Sequence, residues 1–209
     1  MKNRVVIGID ESYTRTGVAV LLNGNMFRTM SINFEKSKSN SEKRLYLKGF
    51  LNDLVPSIVK DCNVKTKDIT VIVERIRTFS GGHLSTQYLI TTGALVATIV
   101  DAFYKYKIPV YSVDTKAWKN AIVGTTKPKK NKYGINPNKY PTVLYVRDKG
   151  LLEYIVEEYT GRGKKGVIMV NKGNKRVRCK INDDIADSYC IAMYGFLPEH
   201  KQKLKEEKF

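Results

Sequence analysis

The segment KINDDIADSYCIAMYG places three carboxylates, Asp183, Asp184 and Asp187, within five residues. They directly follow GRGKKGVIMVNKGNKRVRCK, one of the most basic stretches of a chain with net charge +17. Carboxylates this close repel one another, so stability is a poor reason for the cluster. On a helix, Asp184 and Asp187 at i, i+3 share a face, and so do Asp183 and Asp187 at i, i+4. Two more acids end apolar runs: Asp10 closes RVVIGID and Glu74 closes ITVIVE. If those strands lie side by side and the late helix packs across them, four carboxylates converge. Hard oxygen ligands without a His/Cys set select Mg²⁺ or Mn²⁺ over zinc. Two such ions stabilise both the attacking and the leaving oxygen when a phosphodiester is hydrolysed. Each acid alone has a plainer role. Asp10 can start a turn, Glu74 can pair with Arg75 or Arg77, and Asp183 or Asp184 can cap the helix. Jointly, in a basic chain, they point to a metal site.

The elements that must position these acids follow from periodicity. RVVIGID reads as a strand buried on both faces, and ESYTRTG as turn material. GVAVLL and MFRTMSINF form a hairpin through the Asn-Gly-Asn turn at 23–25. A helix is expected from about Ser41 to Asp61, capped by Ser41 or Asn40 and kinked at Pro56. Its apolar stripe runs through Leu45, Leu51, Leu54, Val55, Ile58 and Val59. After the strand ITVIVE and the loop RIRTFSGGHLS, a helix over Thr86 to Lys105 is apolar nearly all round and needs cover on more than one side. IPVYSV is a further strand and DTKAWKNAIVG a short helix. TTKPKKNKYGINPNKYP reads as a mobile loop. A helix near Val143 to Tyr159, broken at Gly150, precedes a hairpin of VIMV and RVRCK. The last helix spans about Asp183 to Phe196, ahead of a frayed basic tail over 198–209.

With 209 residues and 42% hydrophobic content, the chain can bury the core of one domain. There is no run of eighteen apolar residues and no signal-peptide pattern at the N-terminus, so the expected location is the cytoplasm, without a membrane span. Cys62, Cys179 and Cys190 match neither a disulfide framework nor a zinc site and are expected as buried free thiols. Charge is concentrated: Lys119 to Lys180 holds 16 Lys and Arg against 4 Asp and Glu, leaving 21 against 16 elsewhere. Interleaved with Tyr and Gly, this block points to nucleic acid rather than to a merely solvated surface. GRGKKG lacks the spacing of a phosphate loop.

VIGIDESYTRTGVAVL resembles the first-strand motif of RuvC-type Holliday-junction resolvases, in the ribonuclease H-like superfamily. VIVERI is similar to that family's second acidic strand. PVYSVDTKAWKNAIVG is similar to its fifth strand and following helix, including Lys119, and DDIADSYCIAM to its closing acidic helix. The motifs recur in order over most of the chain. The loop and hairpin between Thr125 and Lys180 are longer than in the bacterial family, as in phage relatives.

The resemblance implies an α/β fold with a mixed five-stranded sheet in order 3-2-1-4-5, one nuclease domain over 1–209 with a basic insertion at 125–180. It implies a catalytic, metal-binding tetrad at Asp10, Glu74, Asp184 and Asp187. Mg²⁺ would be the metal, with Mn²⁺ able to substitute and two ions per site. It further implies a homodimer that makes paired nicks in branched DNA: four-way junctions, with forks and flaps also open. If phage-encoded, the protein would work in the host cytoplasm. Candidate DNA contacts are Arg75, Arg77, Phe79, Lys116, Lys119, Lys127, Lys129, Lys130 and Lys132. In similar proteins an aromatic at the place of Phe79 stacks on bases; core packing is its plain alternative. His83 can assist a proton transfer or be incidental, and His200 carries no weight. The dimer would cover the outer face of the Thr86–Lys105 helix, which could instead lie beneath the basic insertion. Of the two registers in the acidic helix, the resemblance favours Asp184 with Asp187, leaving Asp183 to cap.

Three other functions share parts of this pattern. An actin-like ATPase or sugar kinase needs two such domains and a second nucleotide loop, for which the chain is too short. A ribonuclease acting on RNA–DNA hybrids shares the acid cluster. A non-enzymatic basic DNA-binding protein would not need the four acids.

Overall fold

The computed structural model describes residues 3–75 and 85–198. Arg77, Phe79 and His83 lie outside the described residues, as do His200 and most of the basic tail. Five strands form one sheet: β1 (Val5–Asp10), β2 (Arg15–Leu22), β3 (Asn25–Asn33), β4 (Ile69–Glu74) and β5 (Val110–Val113), in order β3-β2-β1-β4-β5. β1 pairs antiparallel with β2 and parallel with β4, and β4 runs parallel to β5. The sheet is therefore mixed, in the expected order. Asn23 and Gly24 both take positive φ (53° and 85°) in the β2–β3 turn, which tolerates Asn and Gly best.

Alternation along the strands sorts two cores. On one face Val5, Ile7 and Ile9 of β1 and Val71 and Val73 of β4 meet α1 (Asn40–Asp61) and α2 (Thr86–Tyr104). On the other, Val6 and Ile72 meet α5 (Asp183–Tyr194) and α4 (Tyr140–Asp148). By the same two-residue period, Asp10 and Glu74 face α5. That helix is seated by small residues. A Cβ on Gly8 would stand 2.1 Å from the Ser188 carbonyl oxygen, and one on Gly17 would stand 2.3 Å from that of Asp184. Gly17 is the register partner of Asp10, and Ala19 that of Gly8. Gly8, Gly17 and Ala19 thus form a smooth track on which α5 lies against the strands.

The basic segment joins the α5 face. Ile135, Val143, Val146, Ile155 and Ile181 share its core. β6 (Val156–Glu158), β7 (Val167–Lys172) and β8 (Lys175–Ile181) form a second sheet in order β6-β8-β7, with the expected hairpin closing at Gly173. The α2 helix is on the opposite face, so the basic segment does not cover it. Ile90 and Tyr104 of α2 stay exposed. By length and composition alone α2 could cross a membrane; here its buried side, Leu95, Ile99 and Phe103, packs into the first core.

Several local expectations are corrected. The cap of α1 is Ser39, in a capping box with Glu42, rather than Asn40 or Ser41. Leu45 is exposed, and Leu47 takes the buried place in the stripe. Arg15 and Thr16, read as turn, open β2 because they pair with Asn33 and Ile32. The expected helix to Tyr159 ends at Asp148. Gly150 adopts φ 75°, and the chain continues through a 3-10 turn at Leu152–Ile155 into β6, whose pairing with β8 outweighs helix periodicity. Cys62, Cys179 and Cys190 are buried free thiols, as expected.

The glycine track yields a paired test. Gly8→Ala should lower the melting temperature by several degrees, since overpacking costs about 1–3 kcal/mol and ~1 kcal/mol moves a chain of this size by about 2–4 °C. Gly49, inside α1, has open space around it. Gly49→Ala should raise the melting temperature slightly, because Ala favours a helix interior over Gly by about 0.5–1 kcal/mol. Differential scanning fluorimetry distinguishes the two.

Candidate active site

Asp10 and Glu74 end neighbouring parallel strands, and α5 brings its first turns over them. Asn182 caps α5, its Oδ1 accepting from the Ile185 N–H at 3.2 Å. The cap is therefore neither Asp183 nor Asp184. These two occupy the first turn, where the positive end of the helix favours carboxylates.

At the centre stands a residue that the sequence did not mark. The Lys139 ammonium, at the start of α4, lies 3.0 Å from Asp10 Oδ2, 2.5 Å from Asp184 Oδ1 and 3.3 Å from Asp187 Oδ2. Three of the four acids named from sequence thus meet around one cation. Asp183 is not among them: its Oδ1 accepts from Arg15 Nη2 at 2.6 Å, while Arg15 Nε donates to Asp184 Oδ2. Glu74 is beside the group but held to the next element. Thr115 Oγ1 donates to its Oε1, and the indole N–H of buried Trp118 donates to its Oε2 at 3.2 Å. Both donors belong to α3 (Thr115–Trp118), capped by Asp114.

A fifth acid was also missed. The Glu11 Oε2 atom is buried without a hydrogen-bond partner, as is Asp187 Oδ1. Apolar-run endings pointed to Asp10; nothing in the spacing pointed to Glu11. For Lys139 the only signal was membership of a lysine-rich loop, which it shares with many surface lysines.

Burial and crowding perturb Asp10, Asp187, Glu74, Glu11 and Lys139. Burial pushes the Asp10 carboxyl up to about 7, with Lys139 opposing and Asp187 and Asp184 adding to the rise. Burial raises Asp187 to about 6 against the pull of Lys139 and Lys119. Glu74 is raised by burial and then by Asp10, and Glu11 is raised well above the usual range by burial and then by Asp10. Burial alone would lower the Lys139 ammonium; Asp10, Asp187 and Asp184 instead hold it far above its ordinary value.

The donor set suits a hard divalent cation: carboxylate oxygens, two of them buried and unpartnered. Among the described residues no three acids already surround a common ion position, and the Lys139 ammonium holds the place between Asp10, Asp184 and Asp187.

The candidate DNA contacts are spread around this centre. Lys119 donates to the Asn138 carbonyl at 3.0 Å and lies 5.1 Å over the Trp118 ring, close enough to depress Asp187. Lys116 is exposed on α3. Arg75 follows Glu74 and donates its backbone N–H to the Val113 carbonyl at 2.7 Å. Lys127, Lys129, Lys130 and Lys132 are exposed along the loop before α4. That loop is pinned rather than loose at its far end, where Asn131 Oδ1 accepts from the N–H groups of Tyr133 and Ile135 at 3.0 and 3.1 Å.

No known sequence family matches the chain. An uncharacterised protein of Ureaplasma parvum serovar 3 is 27% identical over 124 residues, which is 57% of this chain and 51% of that protein. The chain spans about half the length of this curated relative. Among solved structures, Thermus thermophilus RuvC is similar over 98% of both chains, with TM-score 0.52 and 16% identity. RuvC of the same organism in complex with a Holliday junction substrate is similar over 91% of this chain and 90% of that one, with TM-score 0.50 and 15% identity. At such identities the likeness speaks for architecture alone, and it agrees with the strand order found here: this chain has the RuvC-type, ribonuclease H-like fold.

Proposed function

We propose that this protein is a divalent-metal-dependent endonuclease for branched DNA, acting in the cytoplasm as a homodimer that resolves four-way junctions by paired nicks. The observation that carries the reading is the convergence of Asp10, Asp184 and Asp187 on one cation at the ends of the central strands. Asp10, Glu74, Asp184 and Asp187 would hold Mg²⁺, or Mn²⁺ in its place. Bound there, the ions supply positive charge to the attacking and leaving oxygens of the phosphodiester.

The chain's own residues do the rest. Thr115 and Trp118 fix the orientation of Glu74, and Arg15 fixes that of Asp184. Lys139 neutralises the cluster, and its ammonium would also offer positive charge to a phosphate brought to the site. Lys116 on α3 and Lys119 just after it would meet the same strand, and the lysines of 127–132 the flanking DNA backbone. The exposed apolar face of α2, with Ile90, Ala97 and Tyr104, supports a second copy as its cover. The long basic segment over 125–180 supports the likeness to phage relatives.

The test is nicking of labelled four-way, three-way, forked and linear DNA and of an RNA–DNA hybrid, with and without Mg²⁺. Asp10→Asn, Glu74→Gln, Asp184→Asn and Asp187→Asn should each abolish single-turnover nicking by orders of magnitude. Gel shifts in Ca²⁺ should show junction binding retained or tightened, since less negative charge then faces the phosphate. Asp183→Asn should keep substantial cleavage, because Asp183 meets Arg15 and not Lys139. Nicking by all five variants would sink the reading, and preferential cutting of the hybrid would redirect it to ribonuclease activity.

Stability should depend on pH in a defined direction. With folded values raised to about 7 and about 6, Asp10 and Asp187 hold protons that the unfolded chain releases near pH ~4. Their favourable contribution is full below that pH and is lost as pH rises through about 6 to 7. The metal-free protein should therefore lose melting temperature between pH 5 and pH 8. Asp10→Asn should flatten that fall and Lys139→Met should deepen it. Mg²⁺ should restore more at pH 8 than at pH 5, as read by thermal melts across the range.

A further inference from the structure

A cleft of about 660 Å³ opens between α4 and the β7–β8 hairpin, away from the carboxylates. That volume suits a small-molecule-sized group and excludes a duplex. Lys132, Arg147, Lys164, Arg176 and Arg178 line it, and no carboxylate does. Three of these cations have other engagements. Arg178 donates to the carbonyls of Gly161 and Gly163, Arg147 pairs with Asp148, and Lys132 lies over the Tyr133 ring. Lys164 and Arg176 make no ion pair or side-chain hydrogen bond among the described residues, which leaves their charge for a ligand.

Aromatic surface stands beside that charge. Tyr133 and Tyr140 both line the cleft, with ring centroids 6.4 Å apart and planes tilted by 50°. Each packs in part against the α5-side core. Tyr133 is fixed further: its carbonyl accepts from the Gly166 N–H at 2.6 Å and its own N–H donates to Asn131. Apolar side chains, among them Val143 and Ile168, complete the wall. Anchored ring faces next to uncommitted cations are the means by which proteins hold unpaired bases and their phosphates.

Along the chain, the lining of the cleft adjoins a residue of the carboxylate cluster. Lys139, which sits among the acids, immediately precedes Tyr140, and successive Cα atoms are only ~3.8 Å apart. A smaller groove lined by Arg15, Asp183, Lys165 and Lys180 has Ile181 as a wall in common with the cleft.

We propose that the cleft is a second nucleic-acid subsite, which takes an unpaired deoxynucleotide next to the strand held at the carboxylates. Its base stacks on Tyr133 or Tyr140, and its phosphates meet Lys164 and Arg176. The proposal rests on the reading of the chain as a DNA nuclease and adds to it a demand for local strand opening beside the cut.

The probe is a fluorescein-labelled eight-nucleotide thymidine strand, titrated against the full chain in Ca²⁺ by anisotropy at several salt concentrations. The Lys164→Ala/Arg176→Ala double variant, altered only at exposed positions, should bind more weakly. Its slope of log K against log salt should be shallower by about 1.4, for two lost single-strand phosphate contacts. Tyr133→Leu should weaken binding about tenfold or more through lost stacking. A strand carrying 5-iodo-deoxyuridine should photo-crosslink to Tyr133 or Tyr140, as located by mass spectrometry. Unchanged affinity and slope in the double variant, with crosslinks elsewhere, would overturn the subsite. Nicking of branched DNA by a wild type that fails to bind the thymidine strand in the cleft would defeat the subsite alone. Crosslinks in the cleft from a protein that nicks no branched DNA would support the subsite and remove the nuclease reading.

Discussion

A helix can lie directly on a sheet only where the strands offer no side chains, and this molecule depends on one such contact. Gly8, Gly17 and Ala19 clear a path across β1 and β2, and α5 lies in it with backbone nearly touching backbone. The close approach fixes both the height and the rotation of α5. Asp187 and Asp184 therefore arrive beside Asp10, at a separation that a single ammonium can bridge. A bulkier strand residue would leave the same acids on the same elements, too far apart to share a cation.

The electrostatics follow from that packing. Several carboxylates sit where burial and mutual repulsion both favour protonation, and one cation reverses part of the effect. Lys139 comes from the basic segment, so the segment that gives the chain its charge also supplies the counterion of its most acidic spot. The two halves of the charge distribution are therefore parts of one arrangement. Arg15 bridges Asp183 and Asp184, while Lys139 reaches Asp184 and Asp187 but not Asp183, so of three adjacent-looking acids only two join the cluster around the ammonium.

Much of this is legible in the amino-acid sequence. Uninterrupted apolar runs ending in Asp10 and Glu74 mark two central strands, because only strands covered on both faces are apolar throughout. Helix spacing leaves Asp183 or Asp184 to join Asp187, and the family resemblance favours Asp184. Local patterns failed where tertiary contacts decide. The stretch around Val156 has helical periodicity yet is captured by β8 as a strand, and Leu45 fits the stripe of α1 but faces outward. Lys139 was illegible for a related reason. Among the many lysines of its segment, only the folding of α4 onto α5 distinguishes the one that points inward. Glu11 looked like the first residue of a turn, and its buried, unpartnered oxygen is a property of the packing around it.

The seating of α5 also bears on how the molecule comes into being. Arg15 and Asp184, which touch, are 169 residues apart in the chain, and Lys139 lies 129 residues from Asp10. During synthesis the strands carrying Asp10 and Glu74 leave the ribosome long before α5 exists, so the carboxylate centre cannot close on a nascent chain. Long-range closure of this kind is slow compared with the local hairpins and helices that precede it. A ribosome-bound or prematurely terminated fragment lacking α5 carries Asp10, Glu11 and Glu74 but neither Asp184 nor Asp187, and none of the geometry. Whatever chemistry the centre performs is thereby withheld until α5 has been made and has docked.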